Sequence, residues 1–539
     1  MKSKHLLLFM LTCISLTNAL AQPVIGLQRT IGGSGDDIFT CMSLTKDSGL
    51  IIGGSSNSNK SGNKSENSKG TYDFWILLLN NKGAIPVQKT IGGNGIDELS
   101  AVEQTTDGGY ILGGYSSSNI SGDKTQNSRG SSDYWIVKLD STLNIQWDKT
   151  IGGTYQDQLY SIKQTSDGGY IAGGYSESNI SGEKTENARG FYDYWIVKLD
   201  ANGNIEWDKT IGGDYTDELF DIIQTNDDGY LVGGYSGSPI SGEKTQSSRG
   251  LDDYWIVKLD NAGNIQWDKT YGGTGYERLS AMVQSPDGGY LLGGNSASDK
   301  SGEKMQNSRG RNDYWIVKTD NLGQVEWSNT YGGRSHDDLS SIEPTSDDGY
   351  MLVGNSASDI YGEKTENSRG IYDYWIIKLS RNGTIQWDKT IGGSQTDLGT
   401  KIKEIGRNRY IVAGASYSGI GGDKTENNKG TSTTYDYWLV ELRYSKPDSI
   451  AVAALPNNLQ VNTGKSNISF TVYPNPAKYI LHIQNAGKAT VTLTDQQGKT
   501  ILTKTINGNG VINVSHLPAG IYYLKNMETK ETEKILISK

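Results

Sequence analysis

The chain has 539 residues, with 69 glycines, 10 prolines and a formal charge of −10. That acidic balance argues against nucleic acid as a partner, because nucleic-acid binders gather Lys and Arg on one surface. Two cysteines and four histidines leave little material for disulfide or histidine–metal chemistry.

At the N-terminus, Lys2 and Lys4 precede an apolar run from Leu6, and Ala19-Leu20-Ala21 supplies small residues for a signal peptidase. The pattern predicts a secretory signal over residues 1–21 and a mature chain from Gln22. The run is short for a membrane span, and no later segment approaches spanning length. Only Cys41 then remains, so no internal disulfide can form, and His336, His482 and His516 are scattered. Stability has to come from packing, for which several hundred residues are ample.

From there the sequence repeats. A threonine recurs every sixty residues, at Thr30, Thr90, Thr150, Thr210, Thr270, Thr330 and Thr390, and a fixed period of that size marks a solenoid, propeller or array. In residues 151–210, "DQLYSIKQT" alternates as a strand, and Asp167-Gly168 predicts a two-residue turn. "GYIAGGYS" is a second strand, a polar stretch follows, and "DYWIVKLD" is a third. Asn202-Gly203 predicts another tight turn into "NIEWDKT". Trp195, Val197 and Leu199 fall on one face of the third strand, with Tyr194 and Ile196 on the other. A strand apolar on both faces belongs to a sheet packed between neighbours. Four antiparallel strands per repeat without a helical period predict propeller blades.

The seventh repeat stops at "YDYWLVELR", residues 435–443, one strand short. "VIGLQRT", residues 24–30, aligns with "NIQWDKT", placing Ile25 at the Ile145 position and Leu27 at the Trp147 position. The N-terminal segment is therefore expected to complete the last blade and remove the open edges. The expectation is an all-β fold: a seven-bladed β-propeller over residues 22–443, then a linker over 444–467 and a small β-sandwich over 468–539.

"TIGGTYQDQL", "TSDGGYIAGGYS" and "DYWIVKLDANGNIEWDKT" resemble the secreted bacterial β-propeller repeat. The resemblance implies the fold and an extracytoplasmic setting, and no common activity. The last seventy or so residues resemble the C-terminal sorting domain of type IX secretion substrates. The matching residues are Tyr473-Pro474-Asn475-Pro476, Asp495 with Gly498-Lys499, Leu517-Pro518-Ala519-Gly520-Ile521-Tyr522 and the basic tail from Lys534. That resemblance implies handling by the type IX machinery and either release or attachment at the outer surface.

Blade topology puts the first and third connections on one face of the disc, and the long second connection with the inter-blade link on the other. A ligand site is expected on the long-loop face or at the channel mouth. Three residues recur there in every blade: an acid (Asp37, Asp97, Asp157, Asp217, Glu277, Asp337, Asp397), a lysine (Lys64 to Lys424) and an aspartate (Asp73 to Asp436). A ring of carboxylates offers hard oxygen donors to calcium, or polar contacts to a sugar. The structural reading is that these residues cap turns and that Lys–Asp pairs fasten the loops. Recurrence favours the second, since a functional site is asymmetric and a scaffold repeats. Twelve tryptophans fall on strands at the Trp195 and Trp207 positions, where each buries about 2–3 kcal/mol of apolar surface. Tyr155, Tyr215, Tyr276 and Tyr361 sit on loops and vary between blades, which makes them the candidate ligand contacts.

No nucleophile elbow, HExxH, phosphate loop or Cys–His pairing is present. Pairs such as Asp337-Asp338 would suit glycoside hydrolysis only by position. The expected function is a monomeric, non-enzymatic binding module for a glycan or another surface macromolecule. The alternative is a polysaccharide-acting enzyme using carboxylates near the channel.

Overall fold

In a computed structural model, the described residues are 22–444 except 432, and 471–473, 480–484, 488–495, 499–507, 510–515, 517–518, 520–528 and 532–537. The expected signal and most of the expected linker lie outside them. The chain divides into two compact units, Met1–Asp448 and Ser449–Lys539. No described helix is long and apolar enough to cross a membrane.

Each sixty-residue period folds into one antiparallel four-stranded sheet. The third blade runs Asp157–Gln164, Tyr170–Ser176, Asp193–Leu199 and Ile205–Ile211, in that spatial order. Seven such sheets follow one another. The first strands neighbour one another around the ring, so they line the central channel. The last sheet is closed as expected: Val24–Ile31 pairs antiparallel with Asp436–Arg443, Thr30 opposite Trp438 as Thr150 is opposite Trp135.

The core lies between blades. Trp195, Val197 and Leu199 of blade three pack against Tyr134 and Ile136 of blade two. Tyr194 and Ile196, on the opposite face, pack against Trp255 and Val257 of blade four. The third-strand tryptophans are all fully buried. The fourth-strand Trp147 and Trp207 meet Tyr170 and Tyr230 of the following blade, with ring centroids 5.9 and 6.1 Å apart. At the seam between blades seven and one, the same positions carry Leu27 and Leu50. A cavity of about 690 Å³ opens there, lined by both leucines together with Leu79, Ile411 and Leu439. The turn face is therefore less plain than the short connections suggested.

Two turn expectations need correction. The first connection is not a two-residue hairpin but the five residues 165–169, closed by Thr165 N–H to the Gly169 carbonyl (2.9 Å), with Gly168 at φ 84°. The third is closed likewise, Asp200 N–H to the Asn204 carbonyl at 2.9 Å. Asp167 and Asp200 organise these loops through side-chain bonds to Gly169 N–H (2.9 Å) and Asn204 N–H (2.8 Å), which a bare two-residue turn would not need.

Every first strand carries a β-bulge. In blade three, Leu159 faces Gly174 and Ser161 faces Gly173, leaving Tyr160 as the extra residue. A methyl on Gly174 would overlap the Gln158 carbonyl, which accounts for glycine at this position in all seven blades, from Gly54 to Gly414.

The second unit holds two sheets: Thr471–Tyr473, Ile480–Gln484 and Gly510–Asn513 in one, and Thr500–Asn507, Lys488–Asp495, Gly520–Asn526 and Thr532–Ile537 in the other. Leu481, Val491, Leu493, Leu524 and Ile535 form its core.

Candidate functional site

The recurring loop proves to be mortar. In "SGEKTENARG" of blade three, Lys184 Nζ donates to Thr210 Oγ1 and lies 5.2 Å from the Trp195 ring centroid. Thr185 Oγ1 donates to Asp208 (2.6 Å), which also accepts Trp195 Nε1–H (3.0 Å). Glu183 pairs with Arg129 of the previous blade, and Arg189 with Glu243 of the next at 2.6 Å. The expected direct Lys–Asp fastening is replaced by hydroxyl relays: Lys64 Nζ donates to Ser56 Oγ (2.7 Å), which donates to Asp37 (2.5 Å). Burial pulls Lys64, Lys124 and Lys184 down to about 8 despite neighbouring acids. Direct Lys–Asp pairs form elsewhere, on the turn face, as Lys198 with Asp167 at 2.9 Å.

The seven acids Asp37, Asp97, Asp157, Asp217, Glu277, Asp337 and Asp397 are fully buried, each serving its own blade. Asp157 accepts Gly153 N–H (2.6 Å) and Ser178 Oγ–H (3.1 Å). The second series approaches the first across each blade junction. Burial, and then Asp157, raise Asp133 to about 6, against the backbone bond from Arg129. Among the described residues, no three His, Cys, Asp or Glu side chains gather to hold a metal ion. Asp337 and Asp338 point to opposite sides of their strand: Asp337 is buried, while Asp338 accepts Asn312 Nδ2–H (3.2 Å).

Tyr155, Tyr215, Tyr276 and Tyr361 are exposed, between 42% and 59%. No ring contact joins them. Tyr276 borders a 240 Å³ pocket with Arg278, Asn295 and Asn312, and Arg334 stacks over Tyr361 at 4.3 Å.

What the structure brings together is a set of residues that sequence reasoning passed over. The bulge leaves one extra residue per blade, Thr40, Ser100, Tyr160, Phe220, Ser280, Ser340 and Thr400, of which Ser100, Tyr160, Phe220 and Ser280 line the channel cavity. Only blades three and four place an aromatic there. Tyr160 meets Phe220 at 4.8 Å and Tyr175 at 5.7 Å, and Phe220 stacks on Tyr235 at 5.6 Å. Tyr175 contacts Tyr192 at 4.7 Å, and the Arg278 guanidinium covers Tyr235 at 4.6 Å. Polar groups interleave with the rings: Tyr115 donates to Glu98, Tyr175 donates to Gln158 (2.7 Å), and Arg278 is paired with Asp252 (2.8 Å). Burial raises Glu218, with the Tyr235 hydroxyl and Arg278 opposing it. The signal was present in the sequence: the 40 position of the repeat turns aromatic in blades three and four and the 55 position in blades two to four, where the scaffold positions do not change.

Residues 471–538 match the model of the secretion system C-terminal sorting domain. This chain is a β-propeller carrying a type IX sorting domain. The sorting domain indicates export through that system to the cell surface or beyond. Within it, Gly520 opens the Gly520–Asn526 strand, Tyr522 donates to the Pro518 carbonyl (3.0 Å), and Lys534 lies in Thr532–Ile537. Pro474, Asn475, Pro476 and Gly498 lie outside the described residues. No curated protein matches the chain. Among solved structures, the chain is similar to a protein of unknown function from Dyadobacter fermentans (9% identity, 78% of this chain and 99% of that one, TM-score 0.41). It is also similar to the Cps50 (Swd1) β-propeller domain of Myceliophteria thermophila (9%, 78% and 100%, 0.41). A third is PorZ, a surface component of the type IX secretion system of Porphyromonas gingivalis (11%, 94% and 75%, 0.25).

Proposed function

We propose that this exported propeller is a non-enzymatic binding module whose ligand, a glycan or another surface macromolecule, docks on the long-loop face over blades two to five. The observation that carries the reading is the aromatic arc Tyr160–Phe220–Tyr235 with Arg278 beside it. It departs from the repeat where the repeat has no structural reason to depart, because Ser100 and Ser280 occupy the same bulge without loss of the blade. The half-buried Tyr160 and Phe220 rings, backed by the buried Tyr235 and with carboxylate and amide groups beside them, suit a sugar, which offers an apolar face and a rim of hydroxyls. Tyr276, on the pocket beside Arg278, extends the same surface.

The test presents the exported chain to a panel of bacterial and host polysaccharides, recording retention and released products together. Tyr160→Ser and Phe220→Ser restore the residue the other blades use. Retention should fall about tenfold, the loss expected from removing one aromatic contact, with the melting temperature unchanged. Undiminished retention in both variants refutes the site. Released sugars would instead favour a polysaccharide-acting enzyme, with Glu98 and Glu218 the acids to replace first.

A further inference from the structure

Below the aromatic mouth the channel changes chemistry. A cavity of about 390 Å³ is lined there by all seven first strands, and three lysines border it: Lys163 from blade three, with Lys401 and Lys403 from blade seven. In other blades the same positions hold small or apolar residues such as Ala101, Ala281 and Val283, or acids. The acids are already committed. Glu343 holds Lys403 at 2.6 Å. Asp221 accepts Ile222 N–H (2.9 Å), Met282 N–H (2.9 Å) and Ser161 Oγ–H (3.2 Å), bridging three blades. Glu103 accepts Gln164 N–H at 3.1 Å.

Among the described residues, neither the Lys163 nor the Lys401 ammonium has an ion-pair or hydrogen-bond partner, although each carries three donors. Burial holds Lys401 below the ordinary lysine range; Lys163 and Lys403 push the same way and Asp221 opposes them. Burial also pulls on Lys163, but Glu103, Asp221 and Glu343 together outweigh it and keep it charged. Both side chains are half-buried, and two ammonium groups facing one cavity repel each other unless an anion joins them.

We propose that the channel binds a small oxyanion, clamped between Lys163 and Lys401. The recognised chemistry is a phosphate, sulfate or carboxylate group, either free or carried at the end of a larger molecule. Tyr160 and Phe220 line the same cavity, but the lysine clamp does not use the rings and stands whether or not a glycan docks on them.

The full exported chain is titrated calorimetrically with inorganic phosphate and, separately, with glucuronate, at constant ionic strength set by sodium chloride. Saturable binding of either probe is expected. Lys163→Met and Lys401→Met should each weaken it about tenfold, the loss of one charge-assisted contact, while Lys82→Met on an exposed turn leaves it intact. Lys163→Gln and Lys401→Gln repeat the test if a methionine variant fails to fold. Phosphate binding alone identifies a free ion; tighter binding of glucuronate identifies an acidic group on a larger ligand. Absence of saturable binding of both probes to the unmodified chain, or equal binding by the lysine variants, overturns the proposal.

Discussion

Tyr437, in the last blade, donates its hydroxyl to the Trp75 carbonyl in the first at 3.2 Å. The same bond joins Tyr134 to Trp195 and Tyr194 to Trp255, both at 2.9 Å, so the seam is stitched as the other junctions are, except that between blades one and two, where Phe74 has no hydroxyl. Closure therefore has two parts: this inter-blade link and the N-terminal strand laid against Asp436–Arg443. Removing Gln22–Thr30 should leave the first part and abolish the second. With several ladder bonds lost at about 1 kcal/mol each, the melting temperature should drop clearly and Asp436–Arg443 should become open to protease. An unchanged melt would refute closure by this strand.

The inter-blade ion pairs are interrupted once. Arg189–Glu243, Arg249–Glu303 and Arg309–Glu363 join successive loops at 2.6–2.7 Å, but Lys429 of the last blade pairs with Glu426 of its own loop, and Asn63 stands at the equivalent acidic position of the first blade. Asn63→Glu should complete the set, keeping the bond Asn63 now accepts from Gly32 N–H. These side chains are partly exposed, so the gain should be about 0.2–1 kcal/mol and should shrink in high salt. Thermal melts at two salt concentrations measure it.

The seam cavity opens where Leu27 and Leu50 stand in place of the Trp–Tyr pair seen at four other junctions. Leu27→Trp combined with Leu50→Tyr should fill it and raise stability, by about 1 kcal/mol from the aromatic pair beyond simple burial. A double-mutant cycle checks the coupling: the two changes together should exceed the sum of the singles.

Acid should stabilise the ring in one window. Burial raises Asp133, Asp253, Asp313 and Asp373 to about 6 and Asp436 to about 7, above their value of 3.8 in the unfolded chain. The folded state therefore binds protons more tightly, and stability falls as pH rises through these values. Acids held low, such as Asp107 and Glu441 at about 2, lose their contribution only below pH 4. The melting temperature should be roughly 2–4 °C higher at pH 5 than at pH 7.5, and Asp436→Asn should flatten the difference. A steeper loss toward pH 5 would contradict the burial of these groups.

Much of the fold was legible because a repeat averages out local ambiguity. Thr30 to Thr390 set the period, the two-sided third strand "DYWIVKLD" announced blades packed face to face, and the missing fourth strand pointed to Val24–Ile31. The turn loops were misjudged because Asp-Gly is compatible with both two-residue and five-residue hairpins, and only the Asp167 side-chain bonds select the longer one.

The site followed a different logic. Residue type and spacing told the seven acids apart from their surroundings, yet a buried carboxylate capping Gly153 N–H and one facing solvent look alike in a sequence. Sequence alone determined the period, the blade, the closing strand and the export domain, because each depends on local pattern or on residues near in the chain. Only the tertiary structure decided which variable positions meet. The bulge turns Tyr160 and Phe220 into one channel, and ring closure sets Lys163 and Lys401, from blades far apart along the chain, on the wall of one cavity. Such proximity comes from seven sheets closing around an axis, a relation no single repeat contains.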